Sequence, residues 1–166
     1  MEFMWSPWRY DYMASAGKKT TSCVFCITED RTSDAERLIL YRGTHNFIIL
    51  NLFPYTSGHL MVAPYAHLGS IVDASTAQTA EMMGFDLSKR AVQALTSLYH
   101  PEGFNMGMNL GQCAGAGVKD HFHLHVVPRW FGDSNFMTVT AETRVLPEEL
   151  KTTYRRLKEI LVKPEV

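Results

Sequence analysis

The stretch His121-Phe-His123-Leu-His125-Val-Val127 constrains this chain more than any other. Polar and apolar residues alternate with period two, the pattern of a strand with one buried face. A strand over His121–Val127 sends Phe122, Leu124 and Val126 into a core and lines three imidazoles along the other face. Such a strand needs sheet neighbours, and the flanking sequence supplies them. Leu38–Tyr41 and His45–Leu52 flank a turn at Gly43 and read as a hairpin. Pro54–Gly58 reads as a loop and His59–Ala63 as the next strand. Phe104–Leu110 alternates again, with Asn105, Gly107 and Asn109 sharing one face. Between these strands, Ala80, Met83, Leu87, Ala91, Ala94, Leu95 and Leu98 recur at helical spacing, predicting a helix within 73–99 that stops before Pro101. A second helix is expected from Pro147, with Glu148 and Glu149 in its first turn and Lys158 and Lys163 near its end, as the helix dipole favours. Strands grouped with two main helices predict an α+β fold built on an antiparallel sheet.

The 166 residues suffice for one domain with an arm. Residues 1–22 read as the arm and 23–166 as a single domain. Four of the first ten residues are aromatic, too apolar to stand alone in water, so packing on the domain or on a partner subunit is expected. The net charge of -1 lacks the basic surplus of a nucleic-acid-coating protein. No apolar run approaches a membrane span, and the N-terminus lacks a signal peptide's regions. Three cysteines, two in Cys23-Val-Phe-Cys26, suit a reducing compartment, so a cytoplasmic location is expected.

Three imidazoles on one strand face admit more than one chemistry. Alternate Cα atoms in a strand lie roughly 6.6 Å apart, so two neighbouring histidines can share a metal ion, whereas His121 and His125, roughly 13 Å apart, cannot do so without a sharp bend. A metal-dependent hydrolase using two of them is therefore one reading; a solvated sheet face is another. A third is nucleophilic attack on phosphorus. A neutral imidazole is a good nucleophile near pH 7 and a good leaving group in turn. That chemistry needs no metal where hydrogen-bond donors neutralise the phosphate oxygens. The glycine-rich run Gly111–Val118 suits close approach of backbone N–H groups to phosphate. Arg129, Ser134 and Asn135 follow the strand as further candidate phosphate contacts, although Arg129 is equally suited to pairing with a carboxylate. By itself the Cys-x-x-Cys pair is compatible with redox chemistry or with two buried thiols. His45, His100 and Cys113 receive no role.

His121-Phe-His-Leu-His125-Val-Val resembles the signature of the histidine triad (HIT) superfamily. The segment from Asn51 to His59, the strand Phe104–Leu110 and the loop after it resemble the family's ribose-binding segment and phosphate loop. Met4-Trp-Ser-Pro-Trp-Arg, Cys-Val-Phe-Cys and the run from Pro128 to Phe136 are similar to the bacterial branch that includes diadenosine tetraphosphate phosphorylases. The resemblance implies a HIT-like fold and a nucleotidyl hydrolase or transferase acting on dinucleoside polyphosphates through a covalent nucleotidyl-histidine. It implies His123 as nucleophile, His125 on the reacting phosphate or departing oxygen, and His59 in support. Ile49 would line the base pocket and Asn51 bind ribose, while Asn109, Gly115 and Gly117 face phosphate. Ala116 and Gly117 stand where many members carry a phosphate-binding glutamine or serine. Related proteins with the cysteine pair hold structural zinc, which maps to Cys23, Cys26, His67 and His121. Pairing into at least a homodimer is also implied. A non-catalytic nucleotide-binding module is the remaining alternative.

Overall fold

The structure is a computed structural model that describes residues 23–27, 30–84, 86–133 and 148–162. The expected arm at 1–22, and Ser134, Asn135, Pro147 and Lys163, lie outside the described residues. The strands are β1 (Ile39–Arg42), β2 (Asn46–Leu50), β3 (Leu60–Pro64), β4 (Gly103–Met108) and β5 (Leu124–Arg129). They form one antiparallel sheet in the order β1-β2-β3-β5-β4. Three helices accompany it: α1 (Thr76–Met83), α2 (Leu87–Tyr99) and α3 (Leu150–Leu161). This is the expected α+β architecture.

Period two decides which residue serves which face. Ile48, Leu50, Leu60, Val62, Leu124 and Val126 meet Leu87, Ala91, Leu95 and Leu157 of the helices in the main core. Their strand neighbours Phe47, Ile49, Met61 and Ala63 form a second cluster with Phe25 on the other face. Each fully buried large aliphatic side chain contributes about 1.5–3 kcal/mol, so both clusters matter to stability. In β1 the register slips between Ile39 and Tyr41, a bulge that lets consecutive Leu40 and Tyr41 both reach the helix side.

The helix expected within 73–99 is interrupted. Gly84 caps α1 with ψ -127, and a Cβ there would run into the carbonyl oxygen of Ala80. A capping box between Ser75 and Gln78 opens α1. Ser88 then donates to the carbonyl of Met82, tying α2 back to the end of α1. The strand expected from His121 begins only at Leu124. Upstream the backbone leaves the ladder: Phe122 N–H donates to Leu68 O at 2.7 Å and His121 N–H to Val118 O at 3.4 Å. The alternation survives this departure, since Phe122 stays in the main core with Leu124 and Val126. At the far end, Glu148 accepts from Thr153 at 2.7 Å and also from Tyr99 and Arg156. It thereby fastens α3 to the end of α2. Lys158 donates to Ile39 O at 3.1 Å.

Candidate active site

The side of the sheet away from the helices gathers the histidines. His123 is 6% exposed and His59 is fully buried. The Nδ1–H of His123 donates to the backbone carbonyl of His121 at 3.0 Å. That bond fixes the tautomer and leaves Nε2 with its lone pair. Burial holds the His123 pKa below the usual histidine range, the carbonyl bond only partly opposing it. Phe25 packs its ring 4.6 Å from that of His123.

A chain of hydrogen bonds sets the proton on His125. Tyr55 N–H donates to His59 Nδ1 at 3.1 Å, so neutral His59 carries its proton on Nε2. His59 Nε2 lies 2.9 Å from His125 Nδ1. The proton of His59 therefore serves that bond, and His125 presents Nε2–H outward. Burial, reinforced by the His123 ring, lowers the His125 pKa to about 4. At neutral pH His125 thus offers a hydrogen bond but carries no positive charge. The rings of His123 and His125 meet edge-on with centroids 4.8 Å apart.

Asn51 accepts from Phe53 N–H at 2.9 Å and directs its amide to the His59 ring at 3.3 Å. Ile49 lies on the same face, two strands from the triad, and is 8% exposed. Asn109 stands beside the glycine loop, its amide 3.9 Å from where a Cβ of Gly115 would lie. Gly111 and Gly115 hold positive φ, which the turn requires. The N–H groups of Ala114, Gly115 and Ala116 are bonded within the loop to Gly111 and Gln112 carbonyls. Gly115 therefore shapes the loop while its amide is already engaged. Arg129 forms a two-point pair with Asp133 at 2.6 and 2.7 Å and donates to Asn105 at 2.5 Å. Of the two uses open to it, the carboxylate pair is the one present.

A separate cluster lies at the start of the described chain. Cys23, Cys26, His67 and His121 bring their donor atoms within 4.8 Å of one another. Cys26 Sγ is 3.3 Å from His67 Nδ1, and Cys23 Sγ is 3.5 Å from His121 Nδ1. Tetrahedral zinc with two sulfur and two nitrogen ligands sets such donors roughly 3.3–3.8 Å apart. His121 Nε2–H donates to Pro64 O at 2.8 Å, leaving Nδ1 bare toward the sulfurs. The donor set therefore fits the metal in number, spacing and tautomer. Among the described residues, no group of three or more metal-capable side chains contains His123 or His125. His121 is thus parted from the other two by its surroundings.

Two participants escaped the sequence reading. Phe25 sits inside the Cys-x-x-Cys run, which drew attention only to its cysteines. Tyr55 acts through a backbone N–H that any residue carries, although its ring also lies 4.7 Å from that of His59. His45, His100 and Cys113 are exposed, in keeping with the absence of an assigned role.

Comparison with known proteins agrees with this geometry. The HIT domain family model matches residues 32–132. An AP-4-A phosphorylase of Mycobacterium tuberculosis is 39% identical over 163 residues, covering 95% of this chain and 83% of the relative. Protein hit of Bacillus subtilis is 27% identical over 132 residues, covering 78% of this chain and 88% of that protein. Among solved structures, a zinc-bound histidine triad family protein of Mycobacterium smegmatis superposes with a TM-score of 0.64 at 29% identity, covering 85% of this chain and 94% of that one. With its histidine sequence, its sheet order and the matched span all in agreement, the chain belongs to the HIT family of nucleotide-processing proteins.

Proposed function

We propose that the protein cleaves dinucleoside polyphosphates such as diadenosine tetraphosphate through a nucleotide bound covalently to His123. The observation that carries this reading is the bond from His123 Nδ1–H to the carbonyl of His121, which leaves a buried, uncharged Nε2 ready to attack. In the first step Nε2 bonds to the α-phosphorus while the bond from phosphorus to the departing oxygen breaks. The electron pair leaves on that oxygen. His125 donates its Nε2–H to the reacting phosphate or to that oxygen. A neutral imidazole can support an anion there but is a poor proton donor, which suits a phosphate leaving group, stable as an anion, better than an amine or alcohol. Asn51 is assigned to ribose, Ile49 to the base, and Asn109 with the loop of Gly115 and Gly117 to the phosphates. His59 positions His125.

In the second step inorganic phosphate attacks the adduct, its oxygen bonding to phosphorus as the bond to Nε2 breaks, and a nucleoside diphosphate leaves. Likeness to the AP-4-A phosphorylase of Mycobacterium tuberculosis favours phosphate over water as acceptor. The Arg129–Asp133 pair argues against Arg129 as a free grip for that phosphate. Zinc held by Cys23, Cys26, His67 and His121 would supply structure, clamping His121, whose carbonyl orients His123. Among the described residues the outer side of β4 has no strand partner, which supports pairing with a second copy, and the cysteine usage supports a cytoplasmic setting. No helix among the described residues is long and apolar enough to cross a membrane.

His123→Asn tests the mechanism. Nucleotide binding should persist while turnover of diadenosine tetraphosphate falls by at least roughly a thousandfold. Wild-type protein quenched during turnover should carry an acid-labile nucleotidyl group on His123 by mass spectrometry. A near-normal rate in the variant rejects covalent catalysis. Added phosphate should speed cleavage and shift the nucleoside product from monophosphate to diphosphate; an unchanged rate with mono- and triphosphate products would make water the acceptor.

A further inference from the structure

Attack by His123 changes the charge of its own ring. Nε2 gives its electron pair to phosphorus while the Nδ1 proton stays in place, donated to the His121 carbonyl at 3.0 Å. A carbonyl accepts a hydrogen bond but does not take the proton away, so the neutral imidazole becomes an imidazolium joined to phosphorus. His123 is 6% exposed, and a charge so placed is costly unless something offsets it. Among the described residues, no carboxylate forms a hydrogen bond or ion pair with His123. A zinc ion at the cysteine cluster would be balanced by two thiolates and bring no surplus negative charge. The phosphoryl oxygens lie beyond Nε2, at the rim of the ring. Offset of charge at the ring's faces falls to whatever packs on them.

Phe25 packs there. The two ring centroids are 4.6 Å apart and the planes are inclined by 36°. Rings set side by side would collide at that separation, so the two faces overlap. An aromatic face is the negative part of the ring's quadrupole and attracts a cation within roughly 6 Å of its centroid. The attraction grows when both partners are dry, and Phe25 is itself 3% exposed. Its place is set locally, by Cys23 and Cys26 on either side in the chain and by packing in the cluster that holds Phe47, Ile49 and Met61. An aliphatic side chain would fill the same space in that cluster, but it would present no such face.

We propose that Phe25 is a positioning residue whose ring face stabilises the positive charge that His123 acquires as its Nε2 bonds to phosphorus. This inference rests on the proposed attack by His123. In the second step the bond from Nε2 to phosphorus breaks, its electron pair returns to Nε2, and the charge vanishes. The support therefore acts in opposite senses on the two steps: it speeds formation of the adduct and slows its breakdown. Replacing Phe25 by phenylalanine carrying one, two or three ring fluorines drains the face of electron density with little change of shape. Rapid quenching of diadenosine tetraphosphate with enzyme in excess gives the rates at which the adduct appears and decays, the decay being read with and without inorganic phosphate. Formation should slow stepwise, by at least about tenfold at three fluorines, while decay quickens or stays level. Phe25→Leu, apolar but without an aromatic face, should slow formation at least as much. Adenosine monophosphate should bind the folded fluorinated proteins within about twofold of wild type. The singly fluorinated protein still reads the effect if the triply fluorinated one folds poorly. Formation rates level within about twofold across the folded series would overturn the inference. Formation and decay slowing together would also overturn it, since a distorted site acts on both steps, as would a loss confined to adenosine monophosphate affinity, which makes Phe25 a base contact. Absence of any adduct in wild type rejects the covalent mechanism and this inference with it, whereas a normal wild-type adduct with level rates rejects the role of Phe25 alone.

Discussion

At His125 the proton is governed by neighbours on both sides. His59 donates to its Nδ1, and burial with the adjacent His123 ring keeps the pKa near 4. An unfolded histidine takes up its proton below about pH 6.5. Between that pH and about 4 the unfolded chain is protonated at this position and the folded chain is not. Folding stability is therefore intact at pH 7, falls as the pH drops through this window, and gains no further loss from His125 below it. The loss amounts to about 2 kcal/mol, less than the whole shift implies because water still reaches the ring. Urea titrations at pH 7 and pH 5 should show it, and His125→Phe should flatten the difference; an equal pH slope in that variant would contradict the assignment. The grouping of Cys23 and Cys26 with His67 and His121 was expected from the family resemblance, since the Cys-x-x-Cys pair alone admits redox chemistry or buried thiols. Tyr55 was not, because its service to His59 uses the backbone.

Among the elements, the α1–α2 break and the late start of β5 mark where pattern and structure part. Gly84→Ala should lower stability by about 1–3 kcal/mol, since alanine there must displace the Ala80 carbonyl or leave its backbone conformation. Thermal melts of the variant check this, and a melting temperature equal to wild type would show that the joint yields freely. The expected stripe ran on through Gly84, yet Ala80 and Met83 of α1 are exposed and Met82 is the α1 residue that enters the core, so the spacing matched a single helix without reporting a shared buried face. The triad segment reads as strand from His121 because Phe122 does face the core, yet its N–H goes to Leu68 instead of a strand partner. Alternation reports which way side chains point; it says nothing about where hydrogen bonds go. The sheet and its faces were legible for the first reason, and the grouping of His59 with His123 and His125 through the family resemblance. The separation of His121 from that group depended on the second.

For the molecule as a whole, the cysteine cluster fastens the start of the described chain to the histidine segment that leads into β5. Phe25 lies between the two cysteines and packs on both His121 and His123. About one zinc per chain is expected by elemental analysis. Chelation should lower the melting temperature by more than about 5 °C, because a closed four-ligand site contributes to folding. Metal-free protein whose thiols titrate freely without loss of stability would rule the site out. The two faces of the sheet have a further consequence. On β5 and the segment before it, Phe122, Leu124 and Val126 hold the core while His123 and His125 meet the site side; on β4, Phe104 packs toward the core while Gly107 stands across the ladder from His125. The core and the candidate site are thus written in alternate letters of the same strands. Inherited changes at the site-facing letters leave the core letters as they are, so a lineage can vary the chemistry of this face without first becoming less stable.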